Sequence, residues 1–361
     1  MPGIEKVDLS AAEKERYARQ LRLNGFGMPA QLKLKASSVL VVGAGGLGCP
    51  CLLYLNAAGV GHIGIADDDR VCLSNLQRQT LYNESDLNHL KAEVARIKLL
   101  ERNTGTQITA YPVRLTPDNA EAIIRQYDLV IDASDNFYTR YLLNSLCASM
   151  EKPLIYGALF EFEGQVSTFS YKGGPGLNDL FPVRPQDGDI DNCVNAGVLG
   201  VLPGIIGTWQ ALEAIKILTG IGEVLSGKLM LFNALNNEIS ILNFDHTSGS
   251  EPKPELLEEP SFTDLHEIDW PWLLKLQGES SIQLIDVREA YEFEEFNIGG
   301  INLPLGLLDK KLAEINDQRR TVVICQTGAR SKKGIEIIRN RYPDIEIYHL
   351  NKGLAGANTA D

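Results

Sequence analysis

The chain has 361 residues, 44% of them hydrophobic, and a formal net charge of -13 at pH 7. That length calls for two domains with full cores, and that hydrophobic content excludes a disordered chain. The acidic balance argues against a nucleic-acid surface. With no signal-peptide core in MPGIEKVDLSAAEKERYARQ and no uninterrupted apolar stretch of about 18 residues, a cytoplasmic chain without a membrane or nucleic-acid partner is expected.

In chain order, Leu9 to Asn24 begins with a Ser10 N-cap signal and carries a mixed-charge helical pattern, in which Arg19 has no role that periodicity assigns. Val39 to Val42 reads as a buried strand. It breaks at Gly43-Ala44-Gly45-Gly46-Leu47-Gly48 and resumes with helical spacing through Leu52, Leu53 and Ala57. A second strand, His62 to Ala66, ends at Asp67, about 20 residues past the last glycine, where a nucleotide-binding βαβ unit places its ribose-binding acid. Gly43 and Gly45 let the main chain approach a phosphate, and the helix that follows points unpaired N–H groups at it. A tight turn with close helix packing would use the same glycines.

The polar loop after Asp69 carries Asn75, Arg78 and Gln79 and leads to a helix over Lys91 to Arg102, concentrating donors beside the nucleotide site. Strands follow at Gln107 to Ala110 and Asp128 to Ile131, with a helix from Pro117 to Tyr127 between them. The last of these delivers Asp132 and Asp135 to the carboxyl edge of the sheet. Either carboxylate suits Mg²⁺, and for Asp132 a loop or helix-capping role is preferred. Pro153 to Gly157 and Gln165 to Tyr171 continue as strands. Lys172 to Asn192 is rich in Gly, Pro and Asp without periodicity and reads as a long loop, ending at Cys193 before an apolar helix. A thiol so placed has a route to a lowered pKa, and inert packing is the alternative.

Lys228 to Asn233 and Glu238 to Asn243 close the first domain as a hairpin-like pair. Residues 1–245 form that domain, 246–261 read as an acidic, Pro- and Ser-bearing linker, and 262–361 form a second, smaller α/β unit. Its centre is Cys325. Between the strand Val322-Val323-Ile324 and a helix, Cys325 to Arg330 makes a short loop whose N–H groups, helix dipole and Arg330 would stabilise a thiolate or persulfide. The six cysteines include no C-x-x-C pair, so neither a zinc knuckle nor a disulfide framework is suggested, and Cys49, Cys51, Cys72 and Cys147 read as free thiols.

These motifs carry a resemblance. Through RYARQ, VLVVGAGGLG, AAGVGHIGIADDD, LSNLQRQTLY, IDASDNFYTRYLLN, GALFEFEGQV and CVNAGVLGVLPGIIGTWQALEAIK, residues 1 to about 245 resemble the ubiquitin-activating-like adenylyltransferases of the MoeB/ThiF family. Through DVREAYEFEEFNIGGINLPL and CQTGARS, residues 262–361 resemble a rhodanese sulfurtransferase domain. The resemblance implies a Rossmann-like domain with a mostly parallel central sheet joined to a smaller α/β rhodanese domain. It implies ATP-dependent adenylylation of the C-terminal Gly-Gly carboxylate of a ubiquitin-like sulfur carrier, with persulfide transfer from a cysteine desulfurase or thiosulfate. On the same mapping Gly43, Gly45, Gly46 and Gly48 hold the phosphates, Asp67 takes the ribose, Arg78 and Lys91 neutralise phosphate charge, and Asn75 sits at the phosphate site. Asp135 matches the acid associated with Mg²⁺, and Arg19 an arginine given to a partner subunit's site, hence a homodimer. Cys193 matches a cysteine that links covalently to the carrier in some members.

Two departures stand out. The positions of the family's first zinc-binding C-x-x-C pair hold Gly176 and Asp179, and no cysteine lies in the stretch after Asn243, so no structural zinc is expected. Asn88 stands where a glycine is usual, which predicts a differently shaped loop before Lys91, and the short end NKGLAGANTAD predicts weaker packing in the second domain. Thiamine, molybdopterin, tRNA thiolation and cysteine synthesis stay open as destinations. A nicotinamide oxidoreductase is the reading of the glycine turn alone, and a phosphatase would need a cysteine loop one residue longer. A carrier-binding scaffold with a degenerate adenylation site and only sulfurtransferase activity is the alternative function.

Overall fold

The computed structural model describes residues 8–182, 197–246, 266–270, 272–273, 282–343, 345–351 and 353–354. The chain divides into two compact units, Met1–Leu257 and Glu258–Asp361.

The first unit is built on eight strands: β1 Ser38–Val42, β2 His62–Ala66, β3 Gln107–Tyr111, β4 Leu129–Asp132, β5 Leu154–Phe160, β6 Glu163–Phe169, β7 Lys228–Asn233 and β8 Glu238–Asn243. They lie in the order β3-β2-β1-β4-β5-β6-β7-β8. The first five are parallel, as continuous apolar runs buried on both faces require. In β1, Val39 and Val41 join the core formed with the helices Gly48–Ala58 and Val201–Thr219, while Leu40 and Val42 join the opposite core with the helices Pro117–Ile124 and Phe137–Ser149. Helices therefore cover both faces of the sheet. The parallel alternation stops at β5, because β5 and β6 extend further than expected and leave only Glu161 and Phe162 between them. So short a connection forces an antiparallel pair, and β7 and β8 add two more.

One expectation is corrected here. The N-terminal helical stretch is two helices, Ala11–Arg16 and Ala18–Leu21, parted at Tyr17, whose buried hydroxyl accepts from Asn103 Nδ2 at 3.0 Å. One helix, Val201–Thr219, is long and apolar enough by length and composition to cross a membrane, although Gln210, Glu213 and Lys216 interrupt it. Its Leu202, Ile206, Ala211 and Ala214 are buried in the core beside the sheet, and its buried Gln210 donates from Nε2 to Asp132 O at 2.6 Å. This is the pattern of a core helix.

The second unit has five parallel strands, β9 His266–Ile268, β10 Ile282–Asp286, β11 Ile301–Asn302, β12 Arg320–Ile324 and β13 Ile347–Leu350, in the order β11-β10-β12-β13-β9. The central β12 again splits its side chains: Val323 packs with Ile335 and Ile338 of the helix Ala329–Arg341, and Val322 and Ile324 pack with Ile268 and Leu350.

Candidate functional site

The register aligns the carboxyl ends of β2, β1 and β4, with Val42 opposite both Ala66 and Asp132. The loops that follow therefore meet at the point where strand order changes direction, the usual ligand crevice of an open α/β sheet. Gly43 has φ +97°, and a Cβ there would lie 2.5 Å from Ala133 O. At Gly48 a Cβ would lie 2.0 Å from Gly43 O, so any side chain at either position opens the turn. Gly45 and Gly46 meet no backbone; their nearest neighbours are Gln79 Nε2 at 3.5 Å and Pro203 Cβ at 3.1 Å. The tight-turn reading thus explains Gly43 and Gly48, and leaves Gly45 and Gly46 open for close approach by a ligand.

Asp67 fastens this turn. One carboxylate oxygen accepts from Ala44 N at 2.7 Å and the other from Asp69 N at 2.9 Å. Burial raises its pKa, against the lowering effects of the Lys91 charge and these backbone donors. Sequence reasoning gave no role to Tyr82, whose buried hydroxyl donates to Ala44 O at 2.8 Å and fixes the next peptide of the turn. Gln79 Oε1 is buried without a hydrogen-bond partner, a spare acceptor beside the turn.

Lys91 opens its helix with Nζ 2.8 Å from Asp69 Oδ2, its side chain 6% exposed. Burial lowers its pKa, but the charges of Asp67, Asp69 and Asp135 outweigh that and hold it above the ordinary lysine value, so it is a committed cation. The loop before it keeps a left-handed residue: Asn88 sits at φ +66°, donates to Val71 O at 2.9 Å and accepts from Arg70 Nη1 at 2.6 Å. Asparagine tolerates that conformation, so the expected change of loop shape does not follow from its standing in for glycine. Asn75 Oδ1 gathers Arg78 Nη2 at 2.9 Å and Gln79 Nε2 at 3.1 Å. Arg78 also lines a groove of about 420 Å³ together with Gly200, Gly204, Thr208 and Trp209.

Asp132 is wholly buried and structural, but it does not cap the next helix as preferred from sequence. It accepts from Ser134 N at 3.0 Å, Ser134 Oγ at 2.5 Å and Arg140 Nε at 2.9 Å, while Arg140 Nη2 reaches Gly157 O at 3.2 Å. This network braces the loop that presents Asp135 exposed at the crevice. The cap of the next helix is Asn136, whose Oδ1 accepts from Thr139 N at 2.9 Å. Among the described residues no group of three His, Cys, Asp or Glu is placed to hold a metal ion. The donor set fits Mg²⁺ in a weaker sense: Asp67 and Asp69 are engaged, and Asp135 supplies the single carboxylate such an ion takes beside substrate phosphates.

Arg19 is exposed on the helix Ala18–Leu21, apart from the groups just described in sequence and fold. Cys193 lies outside the described residues, as do 183–192 of the expected loop and 247–261 of the linker; the described part of that loop, 172–182, is not all irregular, since it holds the short helix Leu177–Leu180. At Gly176 and Asp179, Asp179 Oδ2 accepts from Gly176 N at 2.8 Å and lies 3.3 Å from His246 Nδ1. Cys49, Cys51 and Cys147 are buried, and burial pushes the Cys49 thiol up to about 12 and raises the other two as well, which makes them inert; Cys72 is exposed.

In the second unit, Cys325 ends β12 with its side chain buried. Sγ accepts from Gly328 N at 3.1 Å and Ser331 N at 3.3 Å and faces Ser331 Oγ at 3.6 Å, and that hydroxyl donates to Gly328 O at 2.8 Å. Gly328 makes the bend at φ +95°. Two donors, not the whole loop, thus face the sulfur. Arg330 reaches the sulfur only as a nearby charge. Its guanidinium grips Glu292 in a bidentate pair, Nη1 to Oε2 at 2.6 Å and Nη2 to Oε1 at 2.8 Å, and does not hydrogen-bond the sulfur. A carboxylate on the facing helix Ala290–Glu295 is the stronger and better-shaped partner. Arg288 is likewise buried on Asp286, at 2.7 Å. The short chain end supports the loop, since Leu354 N donates to Cys325 O at 2.9 Å.

Known proteins share both halves. A model of the ThiF family matches residues 17–253, and a model of the rhodanese-like domain matches residues 269–360. The chain is 41% identical over 360 residues to a probable molybdopterin-synthase adenylyltransferase of Porphyra purpurea, covering 96% of this chain and 93% of that one. It is 40% identical over 370 residues to the adenylyltransferase and sulfurtransferase MOCS3 of Drosophila persimilis, covering 94% and 82%. Among solved structures, E. coli MccB with ATP superposes with a TM-score of 0.56 at 20% identity, over 65% of this chain and 73% of that one, a likeness of fold.

Proposed function

We propose that this chain, which belongs to the ThiF family and carries a rhodanese-like domain, is an enzyme that uses ATP to adenylylate the C-terminal Gly-Gly carboxylate of a ubiquitin-like sulfur carrier and then supplies sulfur to the adenylate. The observation that carries the reading is the meeting, at one sheet edge, of the Gly43–Gly48 turn with Lys91 and three carboxylates. A redox nucleotide would need no such charge, whereas a triphosphate does.

In this reading the turn and the helix after it hold the phosphates, and the remaining lone pairs of Asp67 take the ribose. Lys91 turns from Asp69 toward phosphate, and Arg78, oriented by Asn75, neutralises the charge that develops as the carrier carboxylate attacks the α-phosphorus and pyrophosphate leaves. The carrier's Gly-Gly tail fits the groove beside Arg78, where Gly204 leaves open space. Mg²⁺, which would add charge neutralisation on the phosphates, would be held at Asp135. Arg19 serves the second copy's site in a homodimer. Cys325 receives sulfur as a persulfide whose outer sulfur attacks the adenylate with AMP as the leaving group; a second thiol, Cys193 or an external one, then attacks the Cys325 sulfur of the acyl disulfide, the thiocarboxylate leaves, and a thiol reductant reduces the disulfide that remains.

A relative named for molybdopterin synthase favours a molybdopterin-type carrier; the cytoplasm is the compartment expected from the sequence. Carrier-dependent exchange of labelled pyrophosphate into ATP tests the adenylylation; its absence with Gly-Gly-ending carriers of the molybdopterin, thiamine, tRNA-thiolation and cysteine types would leave the scaffold alternative.

A further inference from the structure

Three cations around the Cys325 loop, Arg288, Lys332 and Arg330, are each paired with a carboxylate. Arg288 holds Asp286, Lys332 lies 3.1 Å from Glu267, and Arg330 holds Glu292 through both of its terminal nitrogens. The last pair is built for permanence. Glu292 also accepts from Glu289 N at 3.0 Å as the third residue of a capping box, so its carboxylate is fixed before Arg330 meets it. Burial pushes the Glu292 pKa up, but the hydrogen bonds from Arg330 and Glu289 N hold it below the ordinary value, so it stays charged. Arg330 sits within the field of the Cys325 sulfur, which adds to the dominant effect of Glu292 in raising the guanidinium pKa.

We propose that Glu292 is a specificity residue for the sulfur donor: by holding Arg330, it keeps that guanidinium from an incoming anion and so disfavours a small dianionic donor relative to a monoanionic one. The inference rests on the sulfurtransferase reading of this unit. In the step concerned, the Cys325 thiolate attacks the outer sulfur of thiosulfate; an S–S bond forms, the bond to the sulfonate sulfur breaks, and sulfite leaves with its electron pair. Cyanide then takes the outer sulfur as thiocyanate and restores the thiolate. With Glu292 neutral, Arg330 is released to the donor, and a dianion gains more than a monoanion.

The test compares thiosulfate with methanethiosulfonate, which carries one charge, in the full-length protein with cyanide as acceptor. Glu292→Gln keeps the capping acceptor, so the helix start survives. It is expected to lower the thiosulfate KM about five- to tenfold, the worth of one partly desolvated charge, and the methanethiosulfonate KM less than about twofold. Arg330→Gln should raise the thiosulfate KM, and the double variant should return near the wild type. An unchanged ratio of the two KM values in Glu292→Gln overturns the inference. A second readout needs no turnover: the rate of Cys325 alkylation by anionic iodoacetate relative to neutral iodoacetamide, followed by peptide mass spectrometry, should rise several-fold in Glu292→Gln, and an unchanged ratio again counts against it. Absence of thiocyanate formation by the wild type from either donor overturns the sulfurtransferase reading, and the alkylation ratio then still decides whether Glu292 masks Arg330.

Discussion

The two cradles of this chain are made alike and charged differently. Each leaves a buried parallel strand, turns on a glycine in the left-handed region, φ +97° at Gly43 and +95° at Gly328, and enters a helix. Each has a carbonyl of its loop held by a donor from elsewhere, Tyr82 hydroxyl to Ala44 O at 2.8 Å and Leu354 N to Cys325 O at 2.9 Å. Around the first, Lys91 faces Asp67, Asp69 and Asp135, an excess of negative charge. Around the second, Arg288 and Arg330 are each matched to one carboxylate. Backbone geometry thus makes an anion site in both, and side-chain charge selects the anion. The acidic excess suits a polyphosphate that arrives with its own cation, while the matched cradle suits a single sulfur.

The sharpest way to separate the cradles is Cys325→Ala. Sulfur transfer to cyanide is expected to vanish, while carrier-dependent pyrophosphate exchange stays within about twofold of the wild type, because no group of the first cradle depends on that sulfur. Loss of both activities together would break the division of labour. The converse is Gly48→Ala. A Cβ there would lie 2.0 Å from Gly43 O, so the turn must open. Pyrophosphate exchange should fall by at least about 100-fold, with a destabilisation of about 2–4 kcal/mol in the first unit's calorimetric transition. Thiocyanate formation should persist. An alanine that leaves exchange untouched would show that close packing at this turn does not serve the nucleotide.

Much of both cradles was legible beforehand, because each is written in local signals. The apolar runs of β1 and β12, their glycine-bearing loops and the helical spacing after them specify strand, turn and helix within a few residues. Side-chain pairing was not legible, since it depends on residues far apart in sequence. Arg330 reads as a sulfur ligand until Glu292, 38 residues earlier, is brought across to it. Asp132 reads as a loop carboxylate until Arg140, eight residues on, is brought to it, and Tyr82 carried no periodic signal at all. The antiparallel end of the sheet turned on where two strands stop, and strand ends are the least certain feature of a sequence pattern.

Tyr82 offers the finest measurement of the comparison. Its hydroxyl is buried and lies 2.8 Å from Ala44 O, on the peptide that follows the one whose N–H is held by Asp67. Tyr82→Phe removes one neutral hydrogen bond and leaves the ring in place; Cys49 Sγ, 3.3 Å from the same carbonyl, remains as a weak donor. The cost should be about 1 kcal/mol, felt as a roughly fivefold rise in the KM for ATP with kcat within about twofold, because the turn is loosened but no charge near the reacting phosphate is lost. Sulfur transfer from Cys325 should not change. If kcat falls instead and KM holds, the hydroxyl positions the turn for the transition state rather than for binding, and the support of that carbonyl belongs to the chemistry of the first cradle.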